Sequence, residues 1–339
     1  MEKDRIAWVD IAKGFAILLV IVGHGIGGKI RGAIFSFHMP LFFILSLVTF
    51  SPSKTGDEFL HNSEKAFKHL FLTAVGIFLG RTVFQMIQDI PRLAAFSLPD
   101  FAAYFADRIN TFVVGSGVDT GIGSQTVRAI GMPWFLFVLF EGRILYDYLH
   151  LKCKRNIFYV AICICSIAGV ILGKIQWLPF SFDIALAVQP FFLFGEWLKK
   201  YDIGQKTVKK AALWLIAWAA LLLLIYWLKR SYLELSCRSY PLFPICYACA
   251  VAGTMAVSCF SQLISGIKTM SKPLMYLGKN SIVMLWVHCF DRYYSFAWKI
   301  TGNEYADTVL RVAEDIVVFA LVMLIINAVK KRKLKKGSC

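Results

Sequence analysis

The sequence predicts an all-α, polytopic integral membrane protein with about ten transmembrane helices in one bundle. Of its 339 residues, 58% are hydrophobic and 17% are charged, whereas soluble domains contain roughly 45–50% apolar and 25% charged residues. Mean hydropathy is +0.62. Apolar segments recur from one end of the chain to the other, so we predict a single membrane domain over 1–339, with the lipid bilayer as a partner.

A helix needs about 20 mostly apolar residues to cross the roughly 30 Å hydrocarbon core of a bilayer. The segments that approximately meet this requirement are 11–28, 33–50, 67–88, 132–150, 156–174, 180–199, 210–228, 242–264, 276–297 and 308–329. We expect the first to be a retained helix and not a cleaved signal peptide, because Asp10 lies at its edge and no small-residue cleavage site follows.

Segment 89–131 is the one long interruption between the apolar segments. It contains four aspartates, one of them inside a glycine-rich run from Gly115 to Gly123. We predict a long external loop, with a short amphipathic helix around 101–112 and a flexible glycine run. A phosphate-binding loop is not predicted, because such a loop follows a strand and opens a helix.

The distribution of lysine and arginine predicts the orientation, because positively charged loops stay in the cytoplasm. With the N-terminus inside, the inner segments hold 21 of these residues and the outer segments hold 10. We therefore predict a multi-pass protein of the cytoplasmic cell membrane with both termini in the cytoplasm. In this orientation 89–131 is external and 330–339 is a basic cytoplasmic tail.

The net charge of +16 does not indicate nucleic-acid binding, because the basic clusters flank the apolar segments, as expected for loops that face an anionic lipid leaflet. Cys246 and Cys249 form a C-x-x-C pair inside an apolar segment, with no second pair and no histidine at zinc-finger spacing. We therefore expect no nucleic acid and no metal, and we leave homo-oligomer formation open.

Ionisable side chains inside membrane helices are costly, so each marks a candidate functional site. His24, His38 and His288 all lie in predicted helices. Lys13 and His24 are eleven residues apart, which places them on one helix stripe roughly 16 Å apart, and Asp10 lies one turn before Lys13. These residues would form one wall of a polar path, with His38 beside His24 across a short outer turn. Asp10 and Lys13 also suit interfacial anchors, and His24 also suits a hydrogen bond between helices.

Arg81 and Glu141 are further charges in predicted helices. Arg81 can hold a phosphate or carboxylate through its planar guanidinium, or it can pair with Glu141. His288 is followed at i+3 by Asp291, which can either orient the imidazole or lie at the outer interface.

Four stretches resemble the family-3 membrane acyltransferases, particularly the branch similar to fucose 4-O-acetylases. They are RIAWVDIAKGFAILLVIVGH (5–24), FHMPLFFILS (37–46), PWFLFVLF (133–140) and LGKNSIVMLWVH (277–288). A weaker fifth match is QPFFLFGEWLKK (189–200). Their order and spacing span most of the chain.

The resemblance implies an enzyme that moves an acyl group, expected to be acetyl, from cytoplasmic acyl-CoA to a hydroxyl of a cell-surface or exported glycan or glycolipid. Lys13 and His24 match the family's basic-residue-x10-histidine pattern, and His38 matches its second-helix histidine. Some members carry R-x-x-R in the third helix, whereas here Arg81 is followed at i+3 by Phe84.

The ionisable residues and the resemblance together predict the site. The expected catalytic residues are His24, His38 and Asp10. The residues expected to bind the acyl-CoA donor are Lys13 and Arg81. The residues expected to bind the acceptor are Trp134, Glu141, Ser281 and His288. His24 can act as general base or accept the acyl group transiently, and the sequence does not separate these roles.

The alternative function is a carrier. Similar membrane domains are attached to serine racemases of glycopeptide-resistance systems, where the resemblance implies uptake of a serine-like amino acid, although this sequence contains no racemase domain. A purely structural membrane protein is least favoured, because it has no use for three intramembrane histidines. Neighbouring genes for polysaccharide synthesis would favour the enzyme, and racemase or ligase genes the carrier.

Overall fold

The structure, a computed structural model, describes residues 6–93, 96–122, 125–200, 208–294 and 300–336. Of the residues that the structure describes, 82% are helical, which confirms the predicted all-α class. The α-helices in the described ranges are α1 Ala7–Gly25, α2 Gly28–Phe35, α3 His38–Val48, α4 Gly56–Ala66, α5 Leu72–Gln88, α6 Ile90–Leu93, α7 Leu98–Val114, α8 Trp134–Lys152, α9 Arg155–Ile175, α10 Phe182–Ala187, α11 Gln189–Lys200, α12 Val208–Lys229, α13 Ile245–Ile264, α14 Lys268–Lys279, α15 Ser281–Tyr294 and α16 Glu304–Lys336.

Six helical stretches within the described residues are long and apolar enough to cross a membrane. They are Ala7–Gly25, Gly28–Val48, Gly56–Gln88, Arg155–Ile175, Val208–Lys229 and Ile245–Ile264. The described residues of the other four predicted segments also form helix, but α8 and α16 carry internal charges. Segment 180–199 and the described part of 276–297 are each divided between two helices, and 295–297 lie outside the described residues. The polytopic membrane class is confirmed, and the count of about ten spans stays a prediction.

The contacts divide the chain into two compact units, and the single domain predicted over 1–339 stays a prediction. The first unit comprises 1–34 and 264–339, and contains α1, α14, α15 and α16. Within it, α1 packs along α14 and also contacts α15 and α16.

A pair of glycines lets α1 and α14 touch backbone to backbone. A Cβ atom added at Gly14 would lie 2.0 Å from the carbonyl oxygen of Leu274. A Cβ atom added at Gly278 would lie 1.8 Å from the carbonyl oxygen of Asp10. Small residues commonly allow such close packing between membrane helices. Any larger side chain at either glycine would force the two helices apart.

The last turn of α1 is fixed by a side chain of the following helix. Arg31 in α2 donates from Nε to the carbonyl oxygens of Gly23 and Ile26, at 3.1 and 3.2 Å. The final carbonyl groups of a helix lack partners within it, so this arginine supplies partners where the helix cannot. The contacts hold the turn that carries His24.

The second unit comprises 35–263. Its core is aromatic, because its largest fully buried side chains are those of Tyr146, Phe43, Phe137, Phe191 and Phe192. The Tyr146 hydroxyl donates a 2.5 Å hydrogen bond to Glu196, so even the buried phenol has a polar partner.

A buried ion pair joins α10 to the segment between α12 and α13 in the second unit. Arg238 donates from Nε to Asp183 Oδ2 at 2.9 Å and from Nη2 to Asp183 Oδ1 at 3.2 Å. The guanidinium also lies 3.6 Å from the ring centroid of Trp177. Both charged side chains are at most 1% exposed, so each depends on the other for its compensating charge.

Segment 89–131 is more ordered than the sequence predicted. The expected amphipathic helix is present as α7, which begins with a capping box between Ser97 and Asp100. Hydrogen bonds from the hydroxyl and the backbone N–H of Ser97 lower the pKa of the Asp100 carboxyl. Within the glycine run, β1 Thr120–Ile122 pairs antiparallel with β2 Gln125–Val127, which the sequence did not predict, and the flexibility of the run stays a prediction.

Candidate active site

Two histidines from distant parts of the sequence are in contact within the first unit. His24 lies in the last turn of α1 and His288 lies in α15. Their ring centroids are 5.4 Å apart and the rings are inclined by 72°. His24 is exposed, whereas His288 is completely buried. The sequence predicted a role for each histidine but not their contact.

The ring of His24 is anchored to its own helix. Its Nδ1 atom lies 2.8 Å from the carbonyl oxygen of Val20. Because a carbonyl oxygen can only accept a hydrogen bond, Nδ1 carries the proton in this contact. A neutral His24 ring therefore keeps its lone pair on Nε2, the nitrogen that can take a proton from another molecule.

The ring of His288 is anchored by two carboxylates. Its Nδ1 atom lies 3.0 Å from Oδ2 of Asp315 in α16 and 3.0 Å from Oδ2 of Asp291, one turn later in α15. Asp291 is only 2% exposed, so the structure favours its interpretation as an orienting carboxylate over that of an interface residue. His288 Nε2 is buried and has no hydrogen-bond partner among the described residues.

Each carboxylate is in turn held by a second donor. Arg311 donates from Nε to Asp291 Oδ2 at 2.6 Å. The hydroxyl of Tyr294 donates to Asp315 Oδ1 at 2.9 Å. Two carboxylates and one guanidinium carry one net negative charge while His288 is neutral. The network can therefore take a proton on His288 without leaving a net charge buried among these residues.

The two carboxylates and the imidazole of this network are also side chains of the kind that bind metal ions. The ligand atoms of His288, Asp291 and Asp315 lie within 4.8 Å of one another. However, Asp291 Oδ2 already accepts from Arg311, and a divalent ion bound there would face that positive charge. The donor set suits an orienting network better than a metal centre, and the expectation of no metal stays a prediction.

Asp10 and Lys13 lie nearer to the N-terminal end of α1 than His24 does. Lys13 is half-buried, and the continuous helix places it on the same stripe as His24. Asp10 is 9% exposed, and its Oδ2 has no hydrogen-bond partner in the described part of the chain. Fourteen residues of helix separate Asp10 from His24, a rise of roughly 21 Å. Asp10 therefore does not contact the His24 ring, which weakens its predicted catalytic role.

Ser281 and His38 are placed by the starts of two helices. Ser281 begins α15 and lies seven residues before His288, so both share one face of that helix. His38 begins α3 in the second unit, is 3% exposed and lies 4.6 Å from the Phe35 ring between centroids. The expected proximity of His38 and His24 stays a prediction.

Arg81 does not pair with Glu141, so that interpretation is wrong. Its Nη1 donates instead to the carbonyl oxygen of Ile130 at 2.6 Å. Gly131 permits this approach, because a Cβ atom there would lie 2.5 Å from Nη1. Arg81 thus contacts segment 89–131. If that segment is external, as predicted, Arg81 is not placed to hold the phosphates of a cytoplasmic donor.

Trp134 and Glu141 both belong to α8. Trp134 is 7% exposed, and Gly117 lies against its indole ring, where a Cβ atom would come within 2.5 Å. This packing makes Trp134 a core residue of the second unit. Glu141 is half-buried, and its Oε2 has no hydrogen-bond partner among the described residues. Glu141 therefore stays a candidate for binding a polar group.

Sequence reasoning missed Asp315, Arg311 and Tyr294. The signal that finds the first two was present, because both are ionisable residues, four positions apart, inside the apolar segment 308–329. Both residues meet the same criterion, an ionisable side chain inside an apolar segment, that identified the histidines.

A family model described as an acyltransferase domain matches residues 6–329, nearly the whole chain. No curated protein and no solved structure matches the chain.

Proposed function

This chain belongs to acyltransferase family 3 and is a membrane acyltransferase, and from that premise we propose that it O-acylates a glycan. The donor is acyl-CoA, most simply acetyl-CoA, used from the cytoplasm. The acceptor is a hydroxyl of a cell-surface or exported polysaccharide or glycolipid. The observation that carries the proposal is the paired anchoring of His24 and His288 through their Nδ1 atoms.

His24 is the proposed catalytic base. Its Nε2 takes the proton of the acceptor hydroxyl while the hydroxyl oxygen bonds to the carbonyl carbon of the thioester. The carbon–sulfur bond breaks, and the departing sulfur takes the same proton from His24. The products are an ester on the glycan and a free thiol, so protons and charge balance without a further reactant.

His288 supports this role from the buried side. Because it touches His24 and its Nδ1 lies against two carboxylates, a neutral His288 can share the proton of the imidazolium that forms on His24, and the carboxylates then compensate the positive charge. The arrangement resembles a base held by an orienting acid, which is a recurrent feature of acyl-transfer sites. His38 stays the second candidate base.

Lys13 is the proposed cation for the donor. It lies roughly 16 Å from His24 along one helix stripe, towards the predicted cytoplasmic end. CoA separates its thioester from its phosphates by a long flexible arm, so a cation well away from the base is what such a donor requires. Arg81 is proposed to bind an anion as well, but its contact with Ile130 favours an anion on the other side of the membrane.

The acceptor would bind beside His24, with Ser281 as a hydrogen-bonding residue. Glu141 of the second unit stays a separate candidate for binding a polar group. His288 and Trp134, also predicted for the acceptor, are more buried and are assigned to positioning and packing. The proposed location is the cytoplasmic membrane with both termini in the cytoplasm, as the charge distribution favours.

The experiment that tests the function compares the surface glycans of a deletion strain and its parent by mass spectrometry. We expect the glycans of the deletion strain to lack an acyl mass, which is about 42 Da if the group is acetyl. Complementation with the intact gene should restore it. Unchanged glycans together with lost uptake of labelled serine would instead support the carrier.

A further inference from the structure

A second polar cluster, the α5–α7 cluster, lies between these two helices of the second unit. We define it by Arg81 of α5 and by Tyr104, Arg108 and Thr111 of α7. The three α7 residues lie at i, i+4 and i+7, so they share one stripe of the helix. Arg108 joins the helices, because its Nη1 donates to Gln85 of α5 at 3.0 Å.

The α5–α7 cluster contains four buried polar atoms without partners. In the described part of the chain, no hydrogen bond is made by Arg81 Nε, Tyr104 Oη, Arg108 Nε or Thr111 Oγ1. Arg108 is 8% exposed and Thr111 is 2% exposed. A buried donor without a partner costs about 1–3 kcal/mol, so four of them on these two helices require an explanation.

The α5–α7 cluster also carries two positive charges without a nearby carboxylate. Among the described residues, neither Arg81 nor Arg108 forms an ion pair within 4.0 Å. The adjacent Asp107 pairs at 3.7 Å with the exposed Arg128 instead. The guanidinium of Arg108 lies 4.8 Å from the ring centroid of Tyr104. This cation–π contact gives the plane of the guanidinium a partner, but it gives no hydrogen-bond acceptor to the Nε donor.

Donors of this kind converge on an anion. A guanidinium presents its N–H groups in a planar fork that fits a phosphate or a carboxylate, and the hydroxyls of Tyr104 and Thr111 can donate to the same oxygens. A phosphate dianion would neutralise both charges and a carboxylate one of them, and either anion would give partners to the donors within its reach. Water could satisfy the hydroxyls, but it could not compensate the charge.

We propose that the α5–α7 cluster binds an anionic group, phosphate or carboxylate, of the acceptor glycan. This inference rests on the proposed function. It assigns the anion to the acceptor because Arg81 is tied to Ile130, within the segment predicted to be external, whereas the acyl-CoA donor is cytoplasmic. The substrate class is therefore an acidic glycan or a sugar phosphate, and not a neutral sugar.

The test uses the purified full chain in nanodiscs of phosphatidylcholine, a lipid without net charge. Thermal unfolding is followed with glucose 1-phosphate, glucuronate, glucose or CoA. We expect at least one acidic sugar to raise Tm, and glucose not to. Arg108→Gln should raise the half-saturating concentration of that acidic sugar by about tenfold or more, because a charge-assisted hydrogen bond is lost. The matched control, Arg128→Gln, should respond like the parent, because that arginine is exposed.

Thr111→Val keeps the proposal testable if Arg108→Gln fails to fold. Removing a buried hydroxyl without a partner should leave the Tm of the ligand-free protein unchanged or higher. If the hydroxyl binds the acidic sugar, the same change should weaken binding of that sugar by about threefold or more. Opposite effects on the free and bound protein are not expected of a merely structural residue.

Three outcomes would overturn the inference. Equal sugar responses in Thr111→Val and the parent would remove the ligand role. Loss of the CoA response in Arg108→Gln, with no response to acidic sugars, would assign the anion to the donor. A Tm rise in phosphatidylglycerol nanodiscs that disappears in Arg108→Gln, with no acidic-sugar response, would assign it to a lipid headgroup. His24→Gln should retain the acidic-sugar response, so failure of the proposed chemistry is measured separately.

Discussion

The carboxylate of Asp315 lies 3.0 Å from Nδ1 of His288, although 27 residues separate them. The contact joins α15 to α16, and it fixes which nitrogen of the imidazole faces the carboxylate. Because His288 in turn touches His24, a change at Asp315 reaches the exposed histidine through one buried ring.

We predict that Asp315→Asn lowers acyl transfer by about 10–100-fold while expression is retained, because an amide keeps the shape but removes the charge that favours a proton on His288. Transfer of label from acetyl-CoA to glycan in isolated membranes measures this. Asp307→Asn, at a half-buried aspartate of the same helix, is the matched control. A parental rate in Asp315→Asn would leave the carboxylate a packing role only.

For His24 we predict a loss of about 10²–10⁴-fold in turnover on substitution by alanine, the usual contribution of a general base. His24→Gln should be equally slow, because glutamine keeps hydrogen bonding but cannot take a proton at neutral pH. His61→Ala, at an exposed histidine, should have the parental rate. If the glutamine variant acylates normally, the base must be sought at His38 or His288.

Gly278→Ala should destabilise the first unit. Its new Cβ would lie 1.8 Å from the carbonyl oxygen of Asp10, so α1 and α14 must separate, at a cost of about 1–3 kcal/mol or more. Thermal unfolding in detergent gives the measurement. Gly56→Ala is the control, because nothing lies within 4 Å of its new methyl group, and its Tm should not fall.

Arg238→Met should cost about 3–5 kcal/mol, since it leaves the buried carboxylate of Asp183 without its partner. Adding Asp183→Leu should recover part of that loss, because the orphaned charge is then gone as well. Unfolding of both variants by heat tests the pair. Arg128→Gln breaks only an exposed ion pair and should change stability by less than about 1 kcal/mol. Equal effects of Arg238→Met and Arg128→Gln would contradict the ion-pair explanation.

Orientation is tested by single cysteines placed in a variant whose nine native cysteines are replaced. A membrane-impermeant thiol reagent applied to intact cells should label Gly121→Cys. It should label Ser338→Cys only after the membrane is permeabilised, because the positive segments are predicted inside. Labelling of Ser338→Cys in intact cells would reverse the predicted orientation.

The sequence predicted the helices well because length and hydropathy are properties of single segments. It did not predict where segments break, as at Phe37 between α2 and α3, because a short irregularity leaves the apolar pattern intact. It identified His24 and His288 through the cost of ionisable groups in lipid. It did not predict that these two histidines are in contact, or that Arg81 donates to Ile130 and does not pair with Glu141. Both features depend on tertiary packing, which no local pattern encodes.

Because His24 is anchored to Val20 of its own helix, the number of residues in α1 between Lys13 and His24 fixes the distance and the rotation between them. Each residue added to an α-helix turns everything beyond it by about 100° and advances it by about 1.5 Å. A single inserted residue between Lys13 and His24 would therefore rotate the imidazole away from His288, even though every side chain is still present. Over this stretch the protein should accept many apolar replacements on its outward face, but no change in the number of residues.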